Sequence, residues 1–130
     1  MPTAWLAGMI ISADRLLGDF RDWENLPIKS PASDGTPGQS LHRIKRHPDG
    51  QVEIQLDVSV STSTSASIAT LPTWARPSSG TRRNATALNS SNAAFNAHID
   101  LTAAGDVNLF AVTTNMSSIT WVALHTTYTP

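Results

Sequence analysis

The stretch at residues 51–60, QVEIQLDVSV, alternates apolar and polar residues without interruption. In an extended chain the apolar side chains all point to one face and the polar ones to the other. A period of two over this length predicts a β-strand with one buried face and one solvated face. Asp49-Gly50 precedes it and favours a hairpin turn, because both residues tolerate positive φ. The remaining strands are expected to cover the apolar face, which consists of Val52, Ile54, Leu56, Val58 and Val60.

The composition indicates one all-β domain. The chain has 130 residues, of which 40% are hydrophobic and only 15% are charged, so Ser, Thr, Asn and Gln must cover much of the surface. The formal net charge of −1 argues against general binding to nucleic acid. Cysteine is absent, which excludes disulfides and thiolate metal sites. No apolar run is long enough for membrane insertion, and no signal peptide is recognisable, so synthesis as a soluble protein in a cytoplasm is expected.

About seven strands joined by short turns are predicted. Residues 41–46 should form a hairpin with the opening stretch, and further strands are expected at 67–71, 82–88, 95–101, 107–113 and 119–127. The polar run at 59–67 could be a disordered segment, an exposed strand end or a loop. The last strand is apolar on both faces, which is typical of a central strand or a subunit interface. The predicted fold is an antiparallel β-sandwich, a jelly-roll-like knob.

The N-terminal part differs from the rest. Ser12 is suited to cap a short helix, and Asp14 would favour its first turn. Leu16, Leu17 and Phe20 would form one side of this helix, which Trp23 could extend. Because two or three turns are not stable alone, the helix must dock on its own domain, on a neighbouring subunit or on a partner. Residues 25–39 are rich in Pro and Gly and predict a loop. The expected division is an anchor segment at 1–39 and a knob at 40–130.

The sequence predicts no catalytic, cofactor or metal site. The four histidines lack the spacing of a metal pair, and could meet only if the fold brings them together: His42, His47, His98 and His125. No Gly-x-Ser-x-Gly motif, phosphate loop or dinucleotide fingerprint occurs. His98 and Asp100, on one face of a predicted strand, are the nearest approach to a catalytic pair. A hydrogen-bonded surface pair is the favoured interpretation, and the chain is predicted not to be an enzyme.

A few aromatic and basic residues are candidates for ligand contact. Trp74 lies between Pro72 and Pro77 and could pack on the core or stack on a sugar. Arg76 and Arg82 form a small basic spot with Arg83, which should pair with acids rather than bind nucleic acid. The predicted turn at 89–92 completes the set. Trp121 is expected in the core or at a subunit interface.

Two stretches resemble proteins of phage particles. The opening, AWLAGMIISADRL at residues 4–16, resembles the start of small virion proteins of phages that infect actinobacteria, although Leu17 stands where an Asn is usual there. From Arg43 onward, the DG turn, ATLPTWARP, the later hairpins and VALHTTY resemble the C-terminal β-domain of phage minor tail and tail-fibre proteins. In those proteins a Leu-Pro-x-x-x-Arg-Pro turn follows a strand, here with Leu71, Pro72, Arg76 and Pro77.

The resemblance implies a structural protein of the virion, a small homotrimeric fibre or decoration protein on the capsid or tail. Its N-terminal segment would fix it to other virion proteins, with particle contacts expected at Trp5, Leu6, Met9, Ile10, Leu16, Leu17 and Phe20. The alternative is a receptor-binding or carbohydrate-binding module at a tail-fibre tip. That alternative implies a host cell-surface glycan as partner and host attachment as the role.

Overall fold

The computed structural model describes residues 20–34, 41–62, 65–111 and 119–130. These contain nine β-strands and one 3-10 turn at Thr73–Ala75. The strands are β1 (Arg21–Asn25), β2 (Ala32–Ser33), β3 (Leu41–Arg46), β4 (Val52–Thr62), β5 (Ala66–Thr70), β6 (Thr81–Asn89), β7 (Ala94–Leu101), β8 (Asp106–Ala111) and β9 (Ile119–Tyr128). The prediction of an antiparallel all-β fold is therefore confirmed.

The strands form one continuous sheet that curls around a single core. Its order is β1-β3-β4-β9-β6-β7-β8-β5, and β2 pairs with β4 beside β3. Residues 27–33 link the two edges of this sheet. Lys29 N donates to Ile68 O of β5 at 3.0 Å, and Ser61 N of β4 donates to Pro31 O at 3.1 Å. The two layers expected of a sandwich are thus opposite walls of one sheet.

The alternation of strand directions gives the sheet two ends. The N-proximal end is defined by the starts of β1, β4, β6 and β8, and it carries the 3-10 turn and the β7–β8 turn. The far end is where β1, β4, β6 and β8 finish, and it carries the β6–β7 turn at residues 90–93. The covalent link to residues 1–19 enters the sheet at the N-proximal end, because β1 begins there.

The apolar face of β4 lies at the centre of the core, as predicted. Val52, Ile54 and Val58 have no solvent exposure, and Leu56 and Val60 are almost as deeply buried. β4 pairs with β3 along one edge and β9 along the other, so its backbone is hydrogen-bonded on both sides. Burying each aliphatic side chain of this kind contributes roughly 1.5–3 kcal/mol. The core is completed from every wall of the curled sheet, including Leu26, Ile44, Ile68, Ile99, Leu109 and Val122.

The expected extension of the N-terminal helix to Phe20 and Trp23 is wrong. Phe20 belongs to no regular element and is 42% exposed, and Trp23 lies in β1. The reason is tertiary pairing: β1 adds to the edge of β3, and Arg43 and Lys45 of β3 lie over the Trp23 ring at 4.1 and 4.7 Å. Such contacts override a weak local helix preference. The rest of the predicted helix, with Ser12, Leu16 and Leu17, lies outside the described residues.

The predicted loop at 25–39 is also corrected in part. Asn25 ends β1, and Ala32–Ser33 forms β2. Leu26 between these strands is completely buried. Residues 21–34 thus belong to the same sheet as the later strands, while the division of the chain at residue 39 stays a prediction. The polar run after Val60 begins as strand, because β4 continues to Thr62.

The last strand is central, as its two apolar faces predict. β9 lies between β4 and β6 and places Val122 and Leu124 in the core. Trp121, Ala123 and His125 alternate with them and lie on the outer wall. The expectation of Trp121 in the core is therefore wrong, because the pleat turns it away from Val122 and Leu124, and its place at a subunit interface stays a prediction. The turn predicted at 89–92 is present, and Asn92 adopts a φ of 60° there. The Asn89 side chain accepts hydrogen bonds from Ser91 N and Ala93 N, both at 2.9 Å, which fixes this turn.

We predict that Ile54→Ala lowers the free energy of unfolding by roughly 2–5 kcal/mol, because the cavity it leaves lies between paired strands. Ser59→Ala on the outer face of the same strand should change it by less than about 1 kcal/mol. Urea unfolding of both variants measures the difference. Equal unfolding midpoints for the two variants would contradict the central position of this face.

Candidate functional site

Trp74 links the 3-10 turn to the start of β1. Its ring packs against the core while remaining partly exposed, and the Arg21 guanidinium lies 4.9 Å from the ring centroid. Next to it, Ala75 is completely buried, and its carbonyl accepts a 2.6 Å hydrogen bond from the Tyr128 hydroxyl. Burial raises the pKa of Tyr128, so this hydroxyl stays protonated and donates. Trp74 therefore contributes to the junction between the first strand, the turn and the last strand.

Arg76 is held against the β7–β8 turn. Its Nε donates to Leu71 O at 3.3 Å, and Leu71 N donates to Gly105 O at 2.7 Å. Gly105 has a φ of +99°, and a Cβ at this position would lie 2.6 Å from Arg76 Nε. The glycine thus serves both the left-handed backbone and the close approach of the arginine.

Arg82 pairs with Asp100 across β6 and β7. Its Nε and Nη2 donate to the two carboxylate oxygens at 2.6 and 2.9 Å. Hydrogen bonding to Arg82 lowers the pKa of Asp100, and the carboxylate in turn raises the pKa of Arg82. The expectation of pairing with an acid is confirmed for Arg82, whereas Arg76 and Arg83 donate to the backbone carbonyls of Leu71 and Arg82. A depression of about 300 Å³, the Arg82 depression, lies beside the pair and is lined by Gly80, Thr81, Arg82, Asp100, Leu101 and Thr102.

Two histidines meet on one carboxylate, a contact that sequence spacing did not predict. His47 Nε2 lies 2.8 Å from Glu53 Oε1, and His125 Nε2 lies 2.5 Å from Glu53 Oε2. Lys45 Nζ is 3.8 Å from the same carboxylate. Hydrogen bonding to His125, supported by His47 and by the charge of Lys45, lowers the pKa of Glu53 against the opposing effect of burial. The residues are far apart in sequence, and only the pairing of β4 with β3 and β9 brings them together.

The outer wall over β9 carries a second depression, of about 200 Å³. We call it the β9 depression, and its lining is Leu41, Gln55, Leu56, Asp57, Ala123, Leu124 and His125. Asp57 Oδ1 is buried and has no hydrogen-bond partner within the described part of the chain. Trp121 lies on the same face of β9, two residues before Ala123, with Ser59 and Leu88 as its cross-strand neighbours. Sequence patterning assigned a solvated role to the β4 part of this wall and placed Trp121 in the core or at a subunit interface. It did not predict the depression, because the lining residues come from different strands.

The predicted ligand residues thus lie at the N-proximal end. Trp74 and Arg76 belong to the connection after β5, and Arg82 is at the start of β6. Arg76 and Arg82 approach the β7–β8 turn, whereas Trp74 contacts Arg21. His98 and Asp100 share the outer face of β7 as expected, but both oxygens of Asp100 are engaged by Arg82.

Among the described residues, no cluster of His, Asp or Glu has the geometry to hold a metal ion. Within the same ranges, no helix is long and apolar enough to cross a membrane.

Two solved structures have a similar fold. The head domain of lactococcal phage bIL170, described as a receptor-binding domain, matches with a TM-score of 0.59 and 12% identity over 82% of this chain and 96% of that chain. The receptor-binding protein gp15 of Listeria phage PSA matches with a TM-score of 0.58 and 18% identity over 98% of this chain and 78% of that one. The chain has the fold of phage receptor-binding head domains. Neither a protein-family model nor a curated protein matches the sequence.

We predict that Gly105→Ala destabilises the protein by roughly 1–3 kcal/mol, because it strains a left-handed backbone and displaces Arg76. Gly80→Ala is the matched control, since a Cβ there meets its nearest atom at an ordinary 3.7 Å. Thermal or urea unfolding distinguishes the two. A Gly105→Ala variant as stable as the control would contradict the described packing of Arg76.

We predict that Glu53→Gln lowers stability near neutral pH and that the loss shrinks in acid. A carboxyl group with a lowered folded-state pKa stabilises the protein above its unfolded value, close to 4.5, and this contribution is lost as pH falls through the folded pKa. Urea unfolding at about pH 7 and about pH 3.5 tests the sign. The exposed Glu24→Gln serves as control. A difference between wild type and Glu53→Gln that grows in acid would refute the assignment.

Proposed function

We propose that this chain is a protein of a phage virion that attaches the particle to its host through the curled β-domain. The observation that carries the proposal is the match of 82% and 98% of the chain to two receptor-binding structures from different phages. The match supports a fold suited to this role, and the opening and the Leu-Pro-x-x-x-Arg-Pro turn independently resemble phage virion proteins. The proposed role is binding and structural rather than enzymatic.

The N-terminal segment is the proposed anchor to other virion proteins. It enters the sheet at the N-proximal end through Phe20, whose exposed ring is available for contact. The Arg21–Trp74 contact and the paired β1 and β3 transmit a pull on this segment into the sheet. The other proposed contacts, Trp5, Leu6, Met9, Ile10, Leu16 and Leu17, lie outside the described residues.

This anchor orients the domain on the particle. If residues 1–19 hold the virion, the N-proximal end faces the particle and the outer walls and far end face the host. Trp74 and Arg76 then lie on the particle side, together with the polypeptide that enters β1. We therefore propose that host contact is made by the outer wall or the far end rather than by these two residues.

We further propose that the protein is a homotrimer in the particle, as its resemblance to fibre proteins implies. Full-length protein should then show three times the mass of one chain in sedimentation or light scattering. A strict monomer at micromolar concentration would contradict the trimer while leaving attachment open.

We predict that purified full-length protein binds host cells and competes with phage adsorption. Fluorescently labelled protein measures binding directly, and pre-incubation of cells with unlabelled protein should reduce adsorption of intact phage severalfold. The Ile54→Ala variant, unfolded by mild heating, serves as a control for non-specific adhesion. Immunogold labelling of particles locates the protein.

The outcomes separate the alternatives. Label on particles without cell binding would favour a decoration protein of capsid or tail and would overturn the attachment role. Absence of label from particles would overturn the virion role altogether.

A further inference from the structure

We propose that the β9 depression and the adjacent Trp121 form a binding site for an uncharged saccharide. The inference rests on the proposed function and assigns its host contact to particular residues. Three features meet on this wall: a concave surface, an acceptor without a partner, and an aromatic ring among small polar residues.

The depression exists because a small residue stands in the middle of the wall. Ala123 lies between Asp57 of β4 and Thr86 of β6, and its methyl group leaves room that larger neighbours enclose. Leu41 and His125 form two sides of the space. Its volume of about 200 Å³ is sufficient for one sugar ring.

Asp57 determines which chemistry the depression accepts. Among the described residues no cation and no hydrogen-bond donor pairs with its carboxylate. Oδ1 is enclosed, so the other carboxylate oxygen is the one that a ligand in the depression would reach. The neighbouring cations have other contacts, because Arg43 donates to Gln55 at 2.7 Å and Lys45 lies against Glu53. An unpaired carboxylate repels an anionic polymer and gains strong hydrogen bonds from hydroxyl groups. The ligand should therefore be rich in donors and carry no negative charge.

Trp121 supplies the complementary apolar contact. It is partly exposed on the same face, between Ser59 and Leu88, and the wall around it continues with Thr86 and Asn96. An indole ring bordered by hydroxyl and amide groups suits the apolar face of a sugar and the hydroxyl groups at its rim. Residues 84–99 and 107–130 contain no Asp, Glu, Lys or Arg, so this part of the wall adds no charge that would attract an ionic polymer.

The test uses full-length protein and host cell-wall polysaccharide separated into neutral and anionic fractions. Wild type should bind the neutral fraction, and its affinity should change little between about 50 and 500 mM sodium chloride, because screening acts on charged ligands. Asp57→Asn and Ala123→Leu should each weaken binding by about tenfold, the first by removing the charged acceptor and the second by filling the space.

Matched controls separate the site from a general surface effect. Asp100→Asn removes a carboxylate beside the Arg82 depression, and Ala104→Leu adds the same bulk at an exposed position of the β7–β8 turn. Both should bind like wild type. Asp57→Asn should also unfold at the same or higher urea concentration, because it removes a partly buried carboxylate that has no partner.

Three results would overturn the inference while leaving host attachment in place. The first is unchanged affinity in both Asp57→Asn and Ala123→Leu. The second is binding confined to the anionic fraction with strong salt dependence. The third is a change in the oligomeric mass of either variant, which would reveal this wall as a subunit contact. Protein that binds no host cells at all would overturn the proposed function and the saccharide site with it.

Discussion

The pairing of β4 on both of its edges is the constraint on which the structure depends. Its apolar face can be buried only if the sheet curls over it, and its backbone is satisfied only if β3 and β9 lie alongside. A shift of one residue would bring the apolar side chains to the solvent, so the register is strongly specified. The same register places Glu53 between His47 and His125, and Asp57 beside Ala123. The strand that forms the core therefore also fixes the chemistry of the outer wall.

Much of the fold could be predicted because short-range patterns of apolar, polar and turn residues determine the strands and hairpins. Alternation located β4 and β7, a continuous apolar run located β9, and Asp49-Gly50 located the first hairpin. The first strand could not be predicted, because RDWEN has no alternation of its own and becomes a strand through pairing with β3 and through two cations on Trp23. Likewise, Ala32–Ser33 forms a strand only because it fills the space beside β4 that β3 leaves open.

The candidate sites were less predictable than the fold, for a related reason. Charge alone predicts that Arg82 pairs with an acid. Only the register of β6 against β7 identifies that acid as Asp100. The Glu53 cluster joins Glu53 to His125, which is 72 positions away in sequence. The β9 depression depends on Ala123, a residue whose side chain carries no reactive group. A sequence shows which groups are reactive; it does not show where a small side chain leaves space between them.

The two ends of the domain differ in their contacts, and the proposed orientation of the domain on the particle uses this difference. Charged and aromatic contacts tie the N-proximal end together through Arg21, Trp74 and the hydrogen bond from Tyr128 to Ala75. Such contacts suit an end that must transmit force from an anchor. The wall around Trp121 instead presents hydroxyl and amide groups and one carboxylate that lacks a partner. The enclosed Oδ1 of Asp57 has no donor, an arrangement that costs roughly 1–3 kcal/mol when the whole group is buried and less for this partly buried side chain. The proposed saccharide site would give this carboxylate a role that the fold alone does not require.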